Sequence, residues 1–139
     1  MTLQADLALD SRVQEIPRAR QWVSAHARAA GFSDTEVRNL GLALSEACAN
    51  VIKHAYHGQP NHPIELHLTV DEARVELAIR DRGTKFNLTS YQPPNLDESQ
   101  EGGYGIFIIR GLMDEVEYDT SAEQGTTLRL VKYRSRSTS

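Results

Sequence analysis

The apolar positions of this chain change period several times, and each change marks an element. Residues 2–9 alternate weakly and predict a first strand. Pro17 sits where a first-turn proline is tolerated and opens a helix that ends near Gly31. Ser33-x-x-Glu36 has the form of a capping box and starts a second helix, predicted to run to about His57. Within it Leu40, Leu44, Ala47 and Val51 make a core-facing stripe, while Glu46, Asn50 and Lys53 form a separate polar row. At roughly 100° per residue that row falls at the border between core and solvent, which is where a cleft wall lies.

After the Gly58-Gln59-Pro60-Asn61 break the period becomes two. Ile64, Leu66, Leu68 and Val70 alternate with Glu65, His67 and Thr69, and Val75, Leu77 and Ile79 repeat the pattern, predicting a hairpin with one buried face and a turn near Asp71-Glu72. Residues 84–101 are polar, contain Pro93-Pro94 and show neither period, so they read as a functional lid. Ile106, Ile109, Leu112 and Met113 predict a short helix, followed by strands near 115–120 and 126–133 around a turn at Gly125. The expectation is one domain over residues 1–133 with a disordered tail over 134–139.

Composition narrows the function. With 139 residues, 40% of them hydrophobic, the chain can bury one real core and not two. A net charge of −4 and no Lys/Arg-dense face before the C-terminal RSRSTS argue against a nucleic-acid partner. The single cysteine, Cys48, excludes an intrachain disulfide and a thiolate metal site, which fits a reducing cytoplasm. The acidic start MTLQADLALDSRVQE lacks an apolar signal core, and no run of about 18 apolar residues occurs, so a soluble chain without a membrane span is expected.

Three segments carry chemistry: Glu46 and Asn50 in LSEACANVIKHAY, Asp81 and Gly83 in IRDRGTKF, and the glycine cluster EGGYGIFIIRGLMDEV. Backbone N–H groups at a glycine-rich helix start approach a triphosphate closely, and the helix dipole favours the anion. Gly102, Gly103 and Gly105 suit that role. Magnesium prefers oxygen ligands and retains waters, so the Asn50 carboxamide can anchor it while phosphates supply the rest. Glu46, one turn earlier, can accept a proton from an attacking hydroxyl. Asp81, ending a hydrophobic strand, can accept a hydrogen bond from an exocyclic amine such as that of adenine, with Gly83 allowing close approach of the base.

Taken singly, each feature has a plainer reading. Glu46 and Asn50 also describe a solvated helix face, Asp81-Arg82-Gly83 a turn after a strand, and the glycines a packing device at a helix start. His54 and His57 read as packing or capping the helix end, and with His26, His62 and His67 scattered no histidine metal site is expected. Cys48 reads as a small buried residue. Tyr104 either shields a nucleotide or lines the lid. The order and spacing of the three segments is what favours a Mg-ATP site.

Glu46-Ala-Cys-Ala-Asn50 with His54, Asp81-x-Gly83, Glu101-Gly-Gly-Tyr-Gly105-Ile and Gly125-Thr126-Thr127 together resemble the N, G1 and G2 boxes of the GHKL ATPases. Within that superfamily the chain most resembles the RsbW-type anti-sigma-factor serine-protein kinases, over about residues 5–133. The resemblance implies an α+β fold, a two-layer Bergerat sandwich with a mixed, mostly antiparallel sheet and helices on one face. It implies Glu46 as catalytic base, Asn50 as the Mg2+ ligand, Asp81 as adenine partner, Gly83 beside the base, Gly102, Gly103 and Gly105 as phosphate loop, and Thr126 supporting the adenine contact. Lys53, His54, Tyr104 and Ile106 complete the candidate nucleotide-binding set. Many GHKL sites read Asp-x-Gly-x-Gly, whereas Lys85 stands here at the second glycine; the anti-sigma kinase branch often lacks it.

The activity so implied is ATP-dependent phosphorylation of a serine or threonine on a STAS-domain antagonist, alternating with sequestration of a sigma factor or other target, by a cytoplasmic homodimer whose contact involves the early strand and helix. A non-catalytic ATP/ADP-gated binding module is the alternative, since sequestration needs Asn50 and Asp81 but no proton abstraction. A histidine-kinase catalytic domain shares the boxes, but the stretch before the Ser33 helix is too short for a phosphoacceptor hairpin.

Overall fold

The structure is a computed structural model that describes residues 2–86 and 104–135. A strand, β1 (Leu3–Asp10), leads through a short 3-10 turn (Val13–Glu15) into helix α1 (Ile16–Ala29), which has Pro17 in its first turn. Helix α2 (Asp34–Asn50) follows, then a hairpin of β2 (Pro63–Val70) and β3 (Arg74–Arg80), helix α3 (Tyr104–Leu112), and strands β4 (Glu115–Asp119) and β5 (Thr127–Tyr133). The five strands form one sheet in the order β1-β2-β3-β5-β4. Every pairing in it is antiparallel, so the expected mostly antiparallel sheet has no parallel pair among the described strands.

Register sorts the sheet into two faces. Leu7, Leu66, Ile79, Leu128 and Tyr118 lie in one cross-strand row, and Ala5, Leu68, Leu77, Leu130 and Val116 in the next. Both rows join the core with Val23 and Ala27 of α1, Leu40, Leu44 and Ala47 of α2, and Ile109 of α3. Buried leucines and isoleucines of this kind each contribute about 1.5–3 kcal/mol. The opposite face is polar. Its centre is Arg129, which bonds Glu76 and lies 3.6 Å from Glu115 and 3.7 Å from Glu117.

Local chemistry explains the element ends. Ser33 and Glu36 form the capping box: the Glu36 N–H donates to Ser33 Oγ (3.1 Å), and the Ser33 N–H donates to Glu36 Oε1 (2.8 Å). The hairpin turn is held by the Asp71 carboxylate, which accepts the N–H groups of Ala73 (2.7 Å) and Arg74 (2.9 Å). The second helix extends close to the expected end near His57 but changes type on the way. Regular α-helix ends at Asn50, and Val51–Ala55 form a π turn in which Tyr56 N–H donates to Val51 C=O (3.0 Å) and Gly58 N–H to Ile52 C=O (2.7 Å). Wider hydrogen-bond spacing of this type recurs at functional sites.

The chain end also departs from expectation at its first residues. Arg134, placed by sequence at the start of a disordered tail, stacks its guanidinium 4.7 Å from the centre of the Phe32 ring and donates to the Ala30 carbonyl. Its N–H donates to Ala73 C=O (2.7 Å), and the next N–H, of Ser135, donates to Glu36 Oε2 (2.6 Å). No helix among the described residues is long and apolar enough to cross a membrane.

Candidate functional site

Helix α2 supplies two of the candidate groups. Its apolar stripe buries Leu40, Leu44 and Ala47, which fixes the rotation of the helix and leaves Glu46 and Asn50 half-buried beside the core. Neither side chain has a hydrogen-bond or ion-pair partner among the described residues. Lys53, the remaining position of the polar row, and the neighbouring His54 are exposed on the π turn. Partial burial pushes the His54 imidazole below its ordinary value, and the neighbouring charges of Lys53 and His57 push the same way.

Asp81 stands at the end of β3, 4% exposed. Its N–H donates to the Thr126 carbonyl (3.0 Å), and its Oδ1 accepts the Gly83 N–H (2.9 Å). Burial pushes the carboxyl above its usual range; the Gly83 and Thr126 backbone groups and the Arg80 charge pull against this without reversing it. Thr126 is buried just before β5, and its Oγ1 accepts the Phe86 N–H (2.9 Å). One residue therefore grips both ends of the 81–86 loop. The Phe86 ring stacks on Tyr118 at 4.2 Å.

The loop is joined to the end of the α2 segment by direct backbone contact. Thr84 N–H donates to the Ala55 carbonyl (2.9 Å), and His57 Nε2 lies 3.0 Å from Thr84 Oγ1. A Cβ on Gly83 would stand 2.6 Å from the Ala55 carbonyl carbon. The missing side chain of Gly83, the residue expected beside a bound base, also admits the helix end. Tyr56, which sequence reasoning passed over, is the buried member of this junction at 5% exposure. The available signal was an aromatic residue with a polar tip between an amphipathic helix and the Gly58 break.

The fold thus brings Glu46, Asn50, Lys53 and His54 onto one continuous helical segment and ties that segment to the loop carrying Asp81 and Gly83. Gly102 and Gly103 lie outside the described residues, as does most of the predicted lid. The backbone of Tyr104, Gly105 and Ile106 opens α3. No group of three or more His, Cys, Asp or Glu side chains suited to a metal occurs among the described residues. The Asn50 carboxamide offers a hard oxygen ligand of the kind that suits a magnesium ion taking its remaining ligands from phosphate and water, and the Glu46 carboxylate stands one helical turn before it.

Residues 9–132 match the family described as the histidine kinase-like ATPase domain. The chain is 33% identical over 111 residues to the serine-protein kinase RsbW of Bacillus subtilis, covering 74% of this chain and 68% of that protein. To the serine-protein kinase RsbW of Listeria monocytogenes it is 32% identical over 137 residues, covering 91% and 85%. The fold is similar to that of a crystal structure of the RsbU and RsbW domains of a Mycobacterium tuberculosis protein, with a TM-score of 0.70 at 18% identity. That likeness covers 97% of this chain and 33% of the larger one, so this chain spans about a third of it.

Proposed function

Because this chain belongs to the histidine kinase-like ATPase family, and within it to the RsbW-type serine-protein kinases, we propose that it phosphorylates a serine or threonine of a STAS-domain antagonist and otherwise sequesters a sigma factor or other target. In this reading residues 1–133 act as one kinase domain, in the cytoplasm and as a homodimer. The observation that carries it is the pair Glu46 and Asn50, one helical turn apart and half-buried, on a segment tied to the Asp81 loop.

Bound Mg-ATP supplies the phosphoryl group and a cation that neutralises charge on it. The protein side of the reaction then divides by residue. Asn50 offers its carboxamide oxygen to Mg2+. Glu46 accepts the proton of the acceptor hydroxyl as that oxygen bonds to phosphorus and the bond to the leaving diphosphate breaks. Asp81 keeps Oδ1 on the Gly83 N–H and presents the rest of its carboxylate to the adenine amine, with Thr126 steadying the loop. Lys53, His54, Gly83, Gly102, Gly103, Tyr104, Gly105 and Ile106 complete the nucleotide site.

Transfer of labelled phosphate from Mg-ATP to a STAS-domain protein tests the proposal. The natural chain transfers, and Glu46→Gln binds ATP with similar affinity but loses about two orders of magnitude or more in rate. ATP binding without transfer by the natural chain would instead describe a nucleotide-gated sequestering module.

A further inference from the structure

We infer that Tyr56 is a positioning residue for nucleotide recognition: its hydroxyl clamps the end of the α2 segment to the 81–86 loop and thereby sets where Asp81 meets the base. The inference rests on the reading of Asp81 as the adenine partner. Arg82 N–H, one residue after Asp81, donates to Tyr56 Oη (2.8 Å), and the Tyr56 O–H donates to the Pro63 carbonyl (2.6 Å). The phenol is thus a bridge with one donor and one acceptor bond, joining the loop to the first residue of β2. A buried hydroxyl without such partners is costly, so both bonds fix its place. Burial also raises the phenol above its ordinary value, which keeps the donating proton on the oxygen at neutral pH.

The ring is fixed as firmly as its hydroxyl. It stacks on His62 with centres 4.8 Å apart and planes 15° from parallel. The His62 N–H donates to Ser11 Oγ (3.1 Å), and the buried Ser11 hydroxyl donates to the Gln59 carbonyl (2.7 Å), so the 59–62 turn behind the ring is anchored to the chain just after β1. On the other side the π turn directs the Ala55 carbonyl toward Thr84, and Gly83 lets the two backbones meet. A regular α-helix through 51–55 would present these groups at a different angle. Tyr56 belongs to the helix end and bonds the residue next to Asp81, which connects the magnesium side of the site with its base side.

The test compares dissociation constants, with Mg2+ present, for ATP and for purine riboside triphosphate, which lacks only the exocyclic amine. Tyr56→Phe keeps the ring and removes the bridge. It is expected to weaken ATP about fivefold while leaving the amine-free nucleotide within about twofold, so that the preference for ATP shrinks. A purely structural role would weaken both nucleotides alike. Asp81→Asn, measured in parallel, separates the two claims. If it retains the natural preference, the reading of Asp81 fails and the inference fails with it. If it abolishes the preference while Tyr56→Phe keeps it intact, the positioning role alone is overturned. Amide exchange on the unaltered protein gives a check that needs no variant to fold: Arg82 N–H should exchange slowly although the Arg82 side chain is exposed, and free exchange there would rule out the clamp.

Discussion

Gly125 lies directly against the main chain of Asp81: a Cβ on Gly125 would stand 2.6 Å from the Asp81 carbonyl carbon. The glycine also holds φ at +77°, a region that side-chain-bearing residues seldom adopt. Gly125→Ala meets both obstacles at once. It is expected to lower unfolding free energy by more than about 2 kcal/mol in urea titrations and to weaken ATP binding, because the backbone it would displace is that of Asp81.

Asp81 lowers stability at neutral pH at the position proposed to contact adenine. Its folded carboxyl sits above the ordinary range because it is buried, so its protonated form suits the fold better than its ionised form. That contribution is complete below the unfolded value of about 4 and is lost as pH rises through the higher folded value. Asp81→Asn is therefore expected to stabilise the nucleotide-free protein by about 1 kcal/mol at neutral pH, a rise of a few degrees in Tm, with the gain disappearing near pH 4. The same variant should lose about tenfold or more in ATP affinity. Thermal melts across pH, paired with ATP titrations, check both halves.

Glu36 behaves in the opposite sense. Burial pushes its carboxyl up, but hydrogen bonds from Ser33 and Ser135 outweigh burial and leave it below the ordinary carboxylate range. Its stabilisation is present above the unfolded value of about 4.3 and is lost as pH falls through the depressed folded value. Glu36→Gln should cost about 1 kcal/mol at neutral pH, with the gap from the natural chain closing in acid. Urea midpoints at several pH values would reveal a constant gap if the charge contributed nothing.

Cys48 is fully buried on α2, and burial pushes its thiol up to about 12. At neutral pH it holds essentially no thiolate, the form that reacts. A disulfide reagent should leave the native protein unmodified and label one thiol per chain once urea unfolds it. Rapid labelling without denaturant would mean that α2 opens locally.

Much of this architecture was legible because its causes are local. The Ser33/Glu36 capping box, the Pro17 helix start, the alternating β2–β3 hairpin and the turn at Gly125 each follow from side chains within a few residues of one another. The helical row containing Glu46 and Asn50 was legible for the same reason, since the stripe of Leu40, Leu44 and Ala47 fixes which face remains at the edge of the core. Three features were not. Val51–Ala55 has the composition of continuing α-helix, and its wider turn goes with Gly58 N–H reaching Ile52 and Thr84 N–H reaching Ala55. Arg134 looks like the start of a polar tail until Phe32, 102 positions earlier, comes beneath its guanidinium. Tyr56 looks like a helix-end aromatic until Arg82 and Pro63 bracket its hydroxyl.

The sequence by itself determined most elements, their buried faces and the residue types that suit an ATP site, because hydrophobic period, capping and turn formation act over one or two turns of chain. The tertiary structure alone decided how the two halves of the site are joined. That the Gly83 backbone packs on the Ala55 carbonyl, and that the Tyr56 hydroxyl meets the Arg82 N–H, depends on contacts between segments distant in the chain, where close packing and the cost of leaving a buried polar group unpaired select the geometry.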